Sequence, residues 1–142
     1  MPVVGYDIST DKARLDVPRI HRFLATEAYW SPGVPRDVVE RSIENSICFG
    51  IYTGGGEQVG FARAVTDRAT FAWIADLYVE AGHRGHGLGK RLVTAILEHP
   101  ELQGLRRFML ATADAHDLYR PFGFEELHGV ERFMAREVSP QA

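Results

Sequence analysis

The spacing of apolar residues changes several times along the chain, and each change marks an element. Residues 3–8 read as a short strand. From Asp16 the spacing turns helical. Asp16 caps the first turn, Pro18 sits where proline is tolerated, and Ile20, Phe23 and Leu24 share a face. This helix is expected to end near Tyr29-Trp30, before the breaker run Ser31-Pro32-Gly33. Pro35 then opens a second helix through Val38, Val39, Ser42 and Ile43. Ile47–Thr53 and Gln58–Thr66 read as strands joined by Gly54-Gly55-Gly56-Glu57, and residues 70–79 as a third beyond the short turn Asp67-Arg68-Ala69. Tight turns between consecutive strands imply antiparallel pairing.

A glycine-rich turn follows, and Leu88, Leu92, Val93, Ile96 and Leu97 then trace one helical face that stops near His99-Pro100. Residues 107–113 read as a strand and 114–122 as a short helix. Gly123-Phe124 leads into a closing strand pair around 125–127 and 132–137. Strand, turn, helix, strand is a right-handed crossover that makes its two strands parallel. The expected fold is therefore mixed α/β (α+β). Its central sheet is antiparallel in the first half with a parallel central pair, flanked by about four helices. With no repeat or linker, residues 1–142 read as a single domain with its core over about 3–138.

Composition narrows the classes. The chain is 45% hydrophobic and 25% charged, with a net charge of -3, which gives no basic excess for nucleic acid. The lone Cys48 excludes an internal disulfide and is expected as a buried, inert thiol. Met1 to Asp7 lacks the pattern of a signal peptide, and no stretch reaches the about 18 apolar residues of a membrane span. The expectation is a soluble, cytoplasmic protein with no membrane partner. His21, His83, His86, His99, His116 and His128 form no recognised ligand spacing, so no metal is expected.

The chemistry concentrates at Gly82-His83-Arg84-Gly85-His86-Gly87-Leu88-Gly89-Lys90, between a strand and an amphipathic helix. At a helix N-terminus several backbone N–H groups lack intrahelical acceptors, and the helix dipole adds positive charge. Glycines let the backbone close on a phosphate, and Arg84, Lys90 and Arg91 add cations. A phosphate or pyrophosphate is the expected ligand. A P-loop fails here, with Arg84 where its first glycine belongs and Arg91 in place of Ser/Thr. The dinucleotide fingerprint fails as well, with Lys90 or Leu92 at its last glycine.

The pattern Arg-x-x-Gly-x-Gly, met by Arg84, Gly87 and Gly89, resembles the pyrophosphate loop of the GNAT superfamily of N-acetyltransferases. The resemblance runs from Asp76-Leu77-Tyr78-Val79 through Leu92. It continues in Ala115-His116-Asp117-Leu118-Tyr119, followed by Gly123-Phe124. Thr112 stands where many relatives carry Asn, and Pro121 follows Tyr119 by two residues.

The resemblance implies an enzyme that uses acetyl-CoA to acetylate the primary amine of a small molecule, by direct attack in a ternary complex. The alternative is a non-catalytic acyl-CoA sensor or partner-binding module on the same fold. By resemblance, the strand ending Leu77-Tyr78-Val79 parts from the strand 107–113, and pantetheine lies in the opening. Arg84, Gly85, His86, Gly87, Leu88, Gly89 and Lys90 would hold the pyrophosphate, with Thr112, Tyr119 and Phe122 completing the cofactor site. Tyr119 would protonate the departing thiolate.

Asp76 is a carboxylate in an apolar strand. It either relays a proton and binds cationic substrate, or pairs with an arginine of a neighbouring strand. Glu27, His116 and Glu125 are further candidates for the base. The acceptor would meet Glu27, Tyr29, Trp30, Trp73 and Asp76, although Tyr29 and Trp30 could equally cover the core of the helix pair. The resemblance also admits a homodimer.

Overall fold

A computed structural model of the chain describes residues 5–138. Val3 and Val4 of the expected first strand lie outside the described residues, as does most of the segment read for a signal peptide. Five strands form one sheet in sequence order: β1 (Tyr6–Ser9), β2 (Ile47–Thr53), β3 (Gln58–Thr66), β4 (Phe71–Val79) and β5 (Arg107–Met109). Neighbours among the first four strands are antiparallel, and β4 and β5 are parallel. Four α-helices accompany them: α1 (Val17–Thr26), α2 (Arg36–Glu44), α3 (Leu88–Glu98) and α4 (His116–Tyr119). No helix among the described residues is long and apolar enough to cross a membrane.

Alternation along β2 builds two cores at once. Ile47, Phe49 and Ile51 pack with Leu88, Leu92 and Ile96 of α3, while Cys48 faces the other way among Ile20, Phe23, Leu24, Val39 and Ile43 of α1 and α2. The sheet is therefore covered on both faces. Cys48 is buried as expected, and burial pushes its thiol up to about 11.

β4 breaks its own alternation. Ala72 and Ile74 face α3, but further along it is Leu77 and Val79 that do so, while Tyr78 turns to α1. The register explains the switch. Phe61 pairs with Tyr78 and Arg63 with Ala75, so Asp76 and Leu77 together oppose Ala62. This is a β-bulge. Asp76 carries it with φ of 55°, a left-handed conformation that aspartate tolerates better than most residues. The switch brings the Tyr78 ring onto Phe23, with centroids 3.7 Å apart and planes 8° from parallel.

The helices follow their caps. The Asp16 carboxylate accepts from the Arg19 N–H at 3.1 Å and Pro18 lies in the first turn of α1. α1 stops at Thr26, earlier than expected, because the connection folds back onto it. Ala28 N–H donates to the Phe23 carbonyl, Gly33 N–H to that of Ala25, and the Ser31 hydroxyl to that of Leu24. The last carbonyls are thus satisfied before Tyr29 and Trp30 are reached. Arg19 binds both Glu80 and Glu57, tying α1 to the end of β4 and to the β2–β3 hairpin.

Other expectations are corrected after α3. β5 is laddered only over Arg107–Met109, because β4 veers away beyond Trp73. The helix expected over 114–122 is α4 followed by a 3-10 turn, Arg120–Phe122, with Pro121 unable to donate within it. The closing pair at 125–127 and 132–137 does not form. Arg120 draws Glu126 into an ion pair at 2.6 Å, and Gly129, with φ of 65°, starts a 3-10 turn at Val130–Arg132. Phe133 and Met134 stay exposed, so these β-prone residues find no surface to complete.

Replacing Phe23 by Ala removes a buried ring from the stack on Tyr78. Urea unfolding should show a loss of about 3–5 kcal/mol, and an unchanged midpoint would mean that α1 does not depend on this contact.

Candidate active site

Beyond Trp73 and Met109, β4 and β5 part and leave a cleft of about 340 Å³. One wall is the stretch of β4 from Trp73 to Leu77 with Arg63 of β3 beside it. The other is Ala111, Thr112 and Asp114 beyond β5. Leu118 and Tyr119 of α4 close one side, and Tyr29 and Trp30 of the α1–α2 connection overhang the other. The bulge at Asp76 and Leu77 lies just beyond the last ladder pair, in the stretch where the ladder does not resume.

Past the end of β4, a 3-10 turn at Ala81–His83 leads into the glycine-rich turn. Gly85 (φ 86°) and Gly87 (φ 73°) are both left-handed. A Cβ on either would meet nothing within 4 Å, so backbone conformation, not space, requires glycine there. Gly87 is the N-cap of α3, and the first helical bond runs from the Arg91 N–H to the Gly87 carbonyl at 3.1 Å. The N–H groups of Leu88, Gly89 and Lys90 precede that bond and point out of the helix end, which suits an anion. The Arg84 Nε donates to the Val79 carbonyl at 2.8 Å, which anchors the turn to the end of β4. His83 Nδ1 lies 2.8 Å from the Tyr6 hydroxyl, while His86 and Lys90 are exposed.

Tyr119 is 7% exposed and lines the cleft, with its ring edge-on to Phe124. Burial, with a smaller contribution from Tyr29, pushes its phenol up to about 12. It is therefore a proton donor throughout the neutral range. Thr112 spends its hydroxyl locally, accepting from the Ala115 N–H at 3.0 Å where α4 begins. Phe122 lies in the 3-10 turn after α4 and is not part of the cleft wall.

Asp76 sits in the cleft with both oxygens engaged. Arg63 Nε donates to Oδ2 at 2.7 Å and Trp30 Nε1 to Oδ1 at 2.8 Å. Arg63 also reaches the Ser46 hydroxyl at 3.2 Å. The neighbouring-strand arginine weighed from the sequence is thus present, and Arg63 lines the site although nothing in its strand but its charge marked it out. Tyr29 and Trp30 do not cover the helix core; Ala28 does that. They are 53% and 42% exposed, and meet edge to face with centroids 5.1 Å apart. The Tyr29 hydroxyl accepts from the Ala113 N–H at 2.8 Å, so the connection is fastened to both lips of the cleft. Trp73 joins them in the wall, whereas Glu27 is an exposed residue at the end of α1, outside it. Asp114 also lines the cleft, and no motif or spacing marks it out.

A larger cavity of about 520 Å³ lies between β5 and the residues after α4, with His116 and Glu125 in its wall. Tyr119 and Thr112 border both spaces. The smaller cleft is the candidate site because it opens between the parting strands and contains the bulge. Among the described residues, no three His, Cys, Asp or Glu side chains group as metal ligands.

The acetyltransferase (GNAT) family profile matches residues 17–124. A GNAT-family acetyltransferase structure from Xanthomonas campestris is 45% identical, with a TM-score of 0.92 over 97% of this chain and 95% of that one. The Gibberella zeae protein FG08082, assigned as an acetyltransferase, is 36% identical over 135 residues, 80% of this chain and 75% of the relative. Glucosamine-6-phosphate N-acetyltransferase from Arabidopsis thaliana shares the fold, with a TM-score of 0.67 and 16% identity over 94% of this chain and 99% of that one. The sheet, its parted strands and the sequence likeness agree: the chain belongs to the GNAT acetyltransferase family.

Proposed function

We propose that this chain is an N-acetyltransferase that moves the acetyl group of acetyl-CoA to the primary amine of a small molecule, with both substrates bound together. The observation that carries the reading is the cleft between β4 and β5, bordered by a buried, protonated phenol, with the helix N-terminus of the glycine-rich turn just past β4. The cytoplasm is the proposed location.

The donor set suits acetyl-CoA as the acyl substrate. Uncommitted N–H groups at Leu88, Gly89 and Lys90 would hold pyrophosphate oxygens, helped by the α3 dipole and the Lys90 ammonium. Backbone groups of β4 beyond Trp73, left without a β5 partner, would bind the amides of the pantetheine arm. When bound, acetyl-CoA supplies a thioester carbonyl open to attack by an amine. One such backbone N–H would hold negative charge on the carbonyl oxygen.

A C–N bond forms, the C–S bond breaks, and the Tyr119 phenol gives its proton to the sulfur. The ammonium proton leaves by way of water and restores the phenol. Asp76 has both oxygens occupied, so its part is positional: it holds Trp30 and Arg63 in the acceptor wall. The rest of the rate would come from holding amine and thioester in register.

Calorimetry tests the donor site. Acetyl-CoA should bind the purified chain. Gly87→Glu, which sets a carboxylate at the anion site, should weaken binding by roughly tenfold or more, while Gly87→Asn, which tolerates the left-handed backbone, should keep most of it. Equal loss in both variants would trace the effect to backbone strain, and no binding by the native chain would remove the proposal.

Tyr119→Phe tests the acid. The kcat should fall by roughly 10²-fold with the Kd for acetyl-CoA nearly unchanged. The phenol is raised, so its proton is present below its titration and lost above it. A native pH profile of kcat should therefore show no alkaline decline from this group until pH nears about 12. A decline near the ordinary tyrosine value that vanishes in Tyr119→Phe would refute the raised phenol.

A further inference from the structure

The acceptor side of the cleft has a definite chemical character, set by rings and by one unmatched charge. Tyr29, Trp30 and Trp73 line it. The first two are pinned by their polar ends, Tyr29 to the Ala113 N–H and Trp30 to Asp76, while each residue stays about half exposed. Rings held in this way present apolar surface at little further cost in side-chain entropy. They also attract cations through their π faces.

Among the described residues that line this cleft, Arg63 is the only cation, and it is committed to Asp76 at 2.7 Å and to Ser46. Arg63 and Asp76 cancel. Asp114 also lines the cleft, is exposed and makes no ion pair among the described residues. One negative charge is left over. An acceptor bearing a carboxylate or phosphate would find no available cation here and would face Asp114. The several hydroxyls of a sugar would meet few uncommitted polar side chains, because Arg63, Asp76, Tyr29 and Thr112 already bind protein partners.

We infer that the acceptor is a cationic amine on a compact aromatic or apolar body, of the arylalkylamine kind, carrying no anionic group. The inference rests on the acetyl-transfer reading above and narrows its substrate class. The body lies against Trp30, Trp73 and Tyr29, and the ammonium is drawn in by Asp114 before it gives up its proton. The Arabidopsis neighbour, named for a sugar phosphate, would then share the fold with this chain but not the acceptor chemistry.

A matched pair isolates the charge argument, because phenethylamine and phenylalanine differ only by a carboxylate. With acetyl-CoA saturating and CoA release followed on the full chain, kcat/KM for phenethylamine should exceed that for phenylalanine, and for glucosamine 6-phosphate, by roughly tenfold or more. Asp114→Asn should shrink the difference between the matched pair. Trp30→Ala should raise KM for phenethylamine while the Kd for acetyl-CoA holds, and Trp30→Phe should recover part of the loss. Equal or better use of phenylalanine or glucosamine 6-phosphate would overturn the inference and leave acetyl transfer standing. Acetyl-CoA binding without turnover of phenethylamine would also overturn it. Failure of the native chain to bind acetyl-CoA would take down both readings.

Discussion

One extra residue in β4 organises the molecule. Asp76 and Leu77 stand opposite the single residue Ala62, and from that point every side chain of β4 changes face. Tyr78 can then stack on Phe23, and Leu77 and Val79 can join the α3 core. The ladder to β5 ends at Trp73, and the cleft opens along the stretch of β4 that contains the bulge. A left-handed backbone at a non-glycine residue costs about 1–2 kcal/mol. Here that cost is offset by the two hydrogen bonds that the Asp76 carboxylate accepts from Arg63 and Trp30. The residue that strains the strand also supplies the polar anchor of the site.

The two binding surfaces proposed for this chain are built by different means. The donor surface would be mostly backbone: a helix end and two left-handed glycines past β4, and the edge of β4 beyond its ladder to β5. Such groups recognise any pyrophosphate and any amide, and side-chain substitution hardly alters them. The acceptor side is mostly side chain, with three aromatic rings and a charge pair resting on Ser46. Tyr119 sits where the two meet and is buried enough to keep its proton.

Much of this was legible in the sequence because local rules govern it. The alternation of Ile47, Phe49 and Ile51 and the helical spacing of Leu88, Leu92 and Ile96 describe surfaces that must be buried, and the two meet in one core. The glycine-rich turn was readable because left-handed conformations leave glycines behind. What escaped depended on distant partners. Residues 132–137 carry the pattern of a strand but lie beside no edge that accepts them, so pattern alone misled. Tyr29 and Trp30 looked like cover for a core, since nothing nearby in sequence announces that Ala113 and Asp76 hold their polar ends. Arg63 and Asp114 needed the third dimension: one is an arginine in a strand, the other an aspartate after a strand, and only folding puts them in one wall.

The connection between α1 and α2 reaches the lips of the cleft through just two side-chain hydrogen bonds, one to each lip. Neither core runs through Tyr29 or Trp30, and the carbonyls at the end of α1 are capped without them. Tyr29 and Trp30 are therefore the replaceable part of the connection in the evolutionary sense. Descendants of one such domain could rewrite this pair and take up new acceptors while both cores pass down untouched, provided that Asp76 keeps a hydrogen-bond partner.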